Sequence, residues 1–183
     1  MFDGRRHVPL IALPGMRERC VKIGSAGKIF SLTGWKVGFV CAAPPILRVL
    51  AKAHQFITFT TPPNLQAAVA YGLAKEDAYF EGMRADFARS RDRFTAGLAG
   101  LGFEVIPSQA TYFLNIDIAP LGEPDDTAFC RRLVLDHGVA AIPVSAFYAE
   151  GAVRTVVRFC FAKRDATLDA ALERLAGVVR KAA

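Results

Sequence analysis

The sequence has no apolar run long enough to cross a membrane and no apolar leader at its start. None of its 183 residues belongs to a stretch that approaches the ~18 uninterrupted apolar residues of a membrane span. The opening residues, Met-Phe-Asp-Gly-Arg-Arg, contain no apolar segment of signal-peptide length. We therefore predict a soluble, cytoplasmic protein that has no membrane partner.

Cysteine and histidine are scarce and widely spaced. The chain has four cysteines and three histidines, and none of them has the spacing of a zinc site or of a disulfide framework. The cysteines lie far apart and mostly in apolar settings, at Cys20, Cys41, Cys130 and Cys160. We predict no metal site and reduced, buried thiols.

Positive charge is present but is not concentrated. The formal net charge is +6, yet most basic residues are dispersed among acids, as in residues 84–93. A nucleic-acid surface would cluster its basic residues on one face or interleave them with exposed aromatics. We predict no nucleic-acid partner and a mildly basic surface around a small anionic ligand.

The apolar residues that are present predict a packed α/β protein. They make up 52% of the chain, against 22% charged residues. Residues 20–24 and 35–43 read as strands, and the second is apolar enough for burial on both faces. Two such strands require partner strands on either side, and no others precede the first long helix. We therefore expect that sequence is missing from the start of this sheet.

Helices and a second group of strands follow. Helices are predicted at 44–56, at 64–74 and from about residue 80 to residue 101, where Gly102 ends the last of them. Strands are predicted at 103–106, 110–118, 139–142 and 155–161. One helix is predicted to begin at a cap within residues 125–127 and to end at His137, where Gly138 stops it. A final helix is predicted to begin at Asp165. The pattern favours a domain boundary inside the long helix.

Residues 25–38 contain the strongest candidate for a reactive side chain. Lys28 lies in a predicted short loop between two apolar strands, with hydroxyl residues on both sides. A lysine held in such a place loses hydration, which favours the neutral amine that attacks a carbonyl. The Ser25 hydroxyl and the second cation, Lys36, suit a phosphate dianion. The alternative for any single lysine is a solvated surface group.

The same stretch resembles the cofactor-binding segment of fold-type I aminotransferases of the class I/II family. The resemblance is closest to the branch that includes kynurenine–glutamine and methionine aminotransferases. In that family the pattern is Ser-x-x-Lys, a hydroxyl-rich spacer and then Thr-Gly-Trp-Lys/Arg-x-Gly. The resemblance implies that Lys28 binds pyridoxal 5'-phosphate covalently and that Ser25 and Lys36 hold its phosphate. Ile29 departs from the pattern, because the family often has a hydroxyl residue there.

The resemblance extends over essentially the whole chain and implies a fold. Further similar segments lie at 2–7, 59–66, 109–114, 142–148 and 157–161. By this resemblance the chain is the C-terminal part of a pyridoxal-phosphate-dependent transferase fold. Residues 1–90 would belong to an incomplete large domain and residues 91–183 to the small α/β domain. The resemblance also implies a homodimer, and we expect the chain to be truncated, since nothing in it matches the family's upstream cofactor motifs.

Arg158 is the candidate substrate-binding residue. It lies in an apolar strand, between Val157 and Phe159, where an unpaired cation is costly to bury. Its guanidinium matches a carboxylate through two parallel hydrogen bonds. From the residues alone, an edge-strand arginine that points to solvent is the alternative. The resemblance implies that Arg158 binds the substrate carboxylate.

These features predict transfer of an amino group between an α-amino acid and a 2-oxo acid. Lys28 would act as the general acid and base of that reaction. One alternative is a serine acyl-transferase in which Ser25 is the nucleophile and Lys28 the base, but the other elements of such a site are missing. The other alternative is a non-catalytic remnant or partner-binding fragment of an aminotransferase.

Overall fold

The structure is a computed structural model that describes residues 1–179. The chain divides into two compact units. The first unit is Arg6–Phe80, and the second unit comprises Met1–Arg5 and the chain from Glu81 onward. Both combine helices with strands, so the predicted α/β class is confirmed. None of the helices among the described residues is both long enough and apolar enough to cross a membrane.

The sheet of the first unit has two antiparallel strands, β1 (Val21–Ser25) and β2 (Gly38–Ala42). Their register places Ser25 opposite Gly38. We predicted two neighbouring strands without the rest of a sheet, and this is what residues 6–80 form. The prediction that β2 is buried on both faces is wrong, because Val40 is 43% exposed. An apolar run marks a strand that is suited to burial, whereas burial itself requires neighbours, and the described residues add no third strand here.

Helices α1 (Ala26–Ile29), α2 (Pro44–Ile57) and α3 (Pro63–Leu73) complete the first unit. Proline in the first turn of α2 and of α3 fits, because the N–H that proline lacks has no helical partner there. The hydrophobic cluster of buried residues in this unit is small and consists of Ala26, Val37 and Val69. The two longer helices confirm the predictions from the sequence, whereas α1 was not predicted.

The second unit contains a four-stranded antiparallel sheet in the order β3-β4-β6-β5. Its strands are β3 (Glu104–Ile106), β4 (Phe113–Asp117), β5 (Ile142–Pro143) and β6 (Val156–Cys160). Strand β5 is shorter than predicted, because the backbone N–H of Val139 still donates to Leu133 of the preceding helix. The central strand β6 buries Val157 and Phe159 on one face. Since strand side chains alternate, Arg158 lies on the opposite face.

Three helices pack in the second unit, namely α4 (Asp77–Gly100), α5 (Asp126–His137) and α6 (Asp165–Val179). Most of α4 belongs to this unit, which takes up the chain again at Glu81. Gly102 follows α4 with a φ of +93° and Gly138 follows α5 with a φ of +64°, a region that favours glycine. These helix ends confirm the prediction. The buried core takes residues from α4, α5, α6 and the sheet, among them Phe94, Phe129, Ile116 and Leu175.

The first five residues pack within the second unit. Phe2 is buried, and the guanidinium of Arg91 lies 4.7 Å from the centre of its ring. Arg91 also forms an ion pair with Asp3, with nitrogen–oxygen distances of 2.7 Å. The assignment of residues 1–90 to a large domain and of 91–183 to a small domain stays a prediction.

Candidate active site

Lys28 lies on the single turn of helix α1, which follows β1 directly. Ser25 ends β1, and the N–H of Ala26 donates to the carbonyl of Val37 at 3.1 Å. The predicted loop around Lys28 is therefore wrong. Gly27 had favoured a loop, but it is buried against the next turn, where a Cβ would lie 3.1 Å from Thr33 Cα. Close packing, and not flexibility, requires glycine at this position.

The side chains of the predicted cofactor site are exposed and have no partners within the part of the chain that the structure describes. Ser25, Lys28 and Lys36 are all exposed. Among residues 1–179, none of the hydrogen bonds or ion pairs involves these three side chains. The predicted burial of Lys28 between two strands is wrong, because α1 turns Ala26 and Gly27 inward and leaves Lys28 outside.

The backbone brings Lys36 back to the end of β1. Lys36 has a left-handed conformation, with φ 54° and ψ 40°, after the short turn Thr33–Trp35. A lysine in this region is uncommon and costs about 1 kcal/mol or more unless its surroundings fix it. Two residues later Gly38 pairs with Ser25, and a Cβ on Gly38 would lie 2.9 Å from the carbonyl oxygen of Gly24. The three predicted residues thus belong to one short segment of the first unit.

This set of side chains fits a ligand that carries a phosphate and an aldehyde. A phosphate monoester brings about two negative charges and three acceptor oxygens at neutral pH. One ammonium group and one hydroxyl match such a group in the sign of the charge and in hydrogen bonding, and the second lysine remains available for the aldehyde. An unpaired lysine amine can attack an aldehyde carbon once it is deprotonated.

Arg158 lies between two aromatic rings in the second unit. Its guanidinium carbon is 4.1 Å from the centre of the Phe113 ring and 4.5 Å from that of Phe147. Its Nε is buried and has no hydrogen-bond partner, and none of the ion pairs among the described residues involves Arg158. Strand β6 lies between β4 and β5, which contradicts the alternative of an edge-strand arginine. Arg158 and Phe113 also line a cavity of about 580 Å³.

A buried carboxylate that is not predicted from the sequence contacts the turn that carries Phe147. Asp126 is completely buried, and its two oxygens accept hydrogen bonds from Ser145 Oγ at 2.7 Å and from Ser145 N at 2.8 Å. The helix cap is the preceding residue, Asp125, which accepts from Ala128 N at 2.8 Å. The signal in the sequence was the second aspartate of the pair, since one aspartate suffices to cap a helix.

The four predicted site residues lie in different units. Ser25, Lys28 and Lys36 belong to the first unit, and Arg158 belongs to the second. The structure therefore groups the three residues predicted for the cofactor and places the residue predicted for the substrate on a separate scaffold.

Comparison with known proteins covers almost the entire chain. A profile of the family described as aminotransferase class I and II matches residues 3–175. A probable N-succinyldiaminopimelate aminotransferase from Mycobacterium tuberculosis is 41% identical over 100% of this chain and 48% of that relative. The methionine aminotransferase of Escherichia coli is 38% identical over 95% of this chain and 45% of its own length.

Solved structures give the same result. The structure of N-succinyldiaminopimelate aminotransferase from Mycobacterium tuberculosis matches with a TM-score of 0.91 and 44% identity. This match covers 97% of the present chain and 46% of that chain. The chain thus spans about half the length of the curated relatives it matches.

Proposed function

This chain belongs to the class I and II aminotransferase family, and we propose that it works as the C-terminal part of an enzyme that transfers amino groups. The complete enzyme would move an amino group from an α-amino acid to a 2-oxo acid. The observation that carries the proposal is that two lysines and a serine of the segment 25–38 are exposed and that their side chains have no partners among residues 1–179.

We propose pyridoxal 5'-phosphate as the cofactor. Lys28 would hold it through its amine, while Ser25 and Lys36 would bind its phosphate. When bound, this cofactor supplies an electron sink for the negative charge that develops at the substrate Cα. The support is the set of side chains, in which one cation and one hydroxyl match a phosphate and a second lysine matches an aldehyde.

Lys28 would also move the proton of the reaction. Once the substrate amine has replaced Lys28 on the cofactor, the released Lys28 amine would take the proton from the substrate Cα as a general base and later return a proton as a general acid. This role requires an amine that has no competing partner. Lys28 fits, since its side chain has no hydrogen bond or ion pair within residues 1–179.

Arg158 would bind the substrate carboxylate. The guanidinium has no acidic partner among the described residues, and an unpaired charge that is partly buried is costly. A substrate carboxylate would supply the missing charge and accept two N–H groups. Both the amino acid and the 2-oxo acid carry this group, so one arginine would serve both substrates.

We further propose that the complete enzyme is a homodimer. Its support in this chain is an apolar surface on the first unit, where Phe56, Ile57 and Phe59 are largely exposed. Exposed apolar groups of this size mark interaction surfaces. The cytoplasmic location stays a prediction from the sequence.

The proposed activity is tested by following labelled nitrogen. The complete enzyme is incubated with [15N]L-methionine and 2-oxoglutarate, and [15N]glutamate is measured by mass spectrometry. We expect labelled glutamate from the wild type and none above background from Lys28→Ala. A wild type that binds the cofactor but produces no labelled glutamate with any of the common amino acids would favour the non-catalytic alternative.

A further inference from the structure

Two phenylalanine rings contact the guanidinium of Arg158, and a buried aspartate holds the turn that carries one of them. We propose that Phe113 and Phe147 are positioning residues for the substrate carboxylate, and that Asp126 fixes Phe147 through Ser145. The proposal rests on the function proposed above, since it assigns the arginine that these residues hold to the substrate. Phe113, Phe147 and Asp126 act through Arg158 and do not themselves react.

Both rings lie against the guanidinium carbon, and none of the hydrogen bonds or ion pairs among residues 1–179 uses the Arg158 donors. All five N–H donors of a guanidinium lie in its plane, whereas aromatic rings attract it through its faces. Phe113 and Phe147 lie 4.1 and 4.5 Å from the guanidinium carbon. A carboxylate of the protein would orient the guanidinium equally well but would occupy its donors. Aromatic contacts orient the guanidinium and keep its donors available for a ligand.

Phe113 is held by the sheet, whereas Phe147 needs a separate anchor. Phe113 begins β4 and pairs with Cys160 of β6, so regular strand pairing fixes its backbone. Phe147 ends the short 3-10 turn Val144–Phe147 and is 60% exposed. A ring on a short exposed turn has few contacts of its own that would hold it against Arg158.

Asp126 supplies that anchor. It begins α5 and is completely buried, and both of its carboxylate oxygens accept hydrogen bonds from Ser145. Ser145 lies two residues before Phe147 in the same turn, and its carbonyl accepts from Tyr148 N at 3.1 Å. A buried carboxylate is costly unless it is well satisfied, so its placement behind this turn favours a role in fixing geometry.

The test is made in the complete enzyme with L-methionine and 2-oxoglutarate as probes. We expect Phe147→Leu to raise KM for both substrates by about 3- to 30-fold, the range of a lost aromatic–cation contact. The maximal rate and the cofactor absorbance should change by less than about 2-fold, and Phe147→Tyr, which keeps the ring, should restore KM. Leu135→Ala, an exposed truncation on α5, serves as the control and should leave KM unchanged.

The connection to Asp126 is tested by a double-mutant cycle. Asp126→Asn and Ser145→Ala should each raise KM in the same direction as Phe147→Leu. If the aspartate acts through Phe147, either change should raise KM by less than about a further 2-fold in the Phe147→Leu background. The reason is that the effects of coupled residues do not add. Circular dichroism verifies folding, and Ser145→Ala carries the test if Asp126→Asn fails to fold.

The outcomes separate this proposal from the proposed function. If Arg158→Lys raises KM but Phe147→Leu and Phe113→Leu do not, the positioning proposal is overturned and the arginine keeps its role. If Phe147→Leu lowers the maximal rate and the cofactor content while KM stays unchanged, the proposal is also overturned. If Arg158→Lys itself leaves KM unchanged, the carboxylate role of Arg158 fails, and the positioning role fails with it.

Discussion

At the scale of single residues, Arg158 combines two aromatic contacts with a complete lack of acidic partners among residues 1–179. Its Nε is a buried donor without an acceptor, which a folded protein rarely leaves unsatisfied. Ser25, Lys28 and Lys36 likewise have unused polar groups on the first unit. The polar groups that have no partner among residues 1–179 are therefore the ones that identify the candidate site.

Replacement of Arg158 by lysine tests the carboxylate role. Arg158→Lys keeps the charge but loses one of two charge-assisted hydrogen bonds, at a cost of about 1.5–3 kcal/mol. Steady-state kinetics of the complete enzyme should show KM about ten- to a hundred-fold higher for the amino acid and for the 2-oxo acid alike. Cofactor absorbance should persist, because the phosphate contacts are assigned to Ser25 and Lys36. Loss of the cofactor, or an unchanged KM, would contradict the assignment.

The cysteines should differ in reactivity according to their burial. Burial raises the pKa of the Cys130 thiol to about 11, whereas Cys41 is exposed. Since the folded pKa lies above the ordinary value of 9.0, the thiol form of Cys130 supports folding below that pH. This contribution is lost as the pH rises toward about 11.

When the native 183-residue chain is treated with iodoacetamide at pH 8, peptide mapping should show modification of Cys41 and protection of Cys130. Equal modification of both would show that the second unit does not enclose Cys130.

At the scale of single elements, Asp125 determines where α5 begins. The backbone N–H of Ala128 donates to its carboxylate and lowers its pKa. Asp125→Ala should therefore lower the free energy of unfolding, measured by urea titration at neutral pH, because the helix loses its N-terminal cap. The contribution should be present above the ordinary pKa of an aspartate and lost as the pH falls through the lowered one. Asp136→Ala, near the other end of α5, removes a charge without removing a cap and should not destabilise the chain. An equal loss in both variants would argue against the cap.

Local signals were sufficient for most elements of this fold. Asp125 and Gly138 delimit α5 because capping depends on residues next to the helix. The one-turn helix at Lys28 escaped prediction, since Gly27 also fits a loop and only the packing against Thr33 distinguishes the two. The contact of Asp126 with Ser145 spans 19 residues, and no local pattern announces such a contact. Burial of β2 could not be deduced either, because it depends on which strands lie beside it.

At the scale of the whole molecule, the two units differ in how much core each one has. The second unit buries a cluster that includes Phe94, Phe129 and Leu175, whereas the buried cluster of the first unit is Ala26, Val37 and Val69. Local opening is easiest where few apolar contacts must be broken. The 183-residue chain is therefore expected to open first in Arg6–Phe80.

Hydrogen exchange of the 183-residue chain tests this difference. Amides of β1 and β2 should exchange at least about tenfold faster than those of β4 and β6, a difference of about 1.4 kcal/mol in opening free energy. Mass spectrometry of peptides from the two sheets gives the comparison within a single sample. Equal protection of both sheets would contradict the view that the first unit has the weaker core.

The proposal on which the others depend is that Lys28 carries the cofactor. It is tested by borohydride reduction of the complete enzyme after incubation with pyridoxal 5'-phosphate, followed by peptide mapping. We expect a pyridoxyl label on Lys28, none on the exposed Lys22 of β1, and loss of the specific label in Lys28→Ala. A label that appears only on other lysines, or that is unchanged in Lys28→Ala, would contradict it.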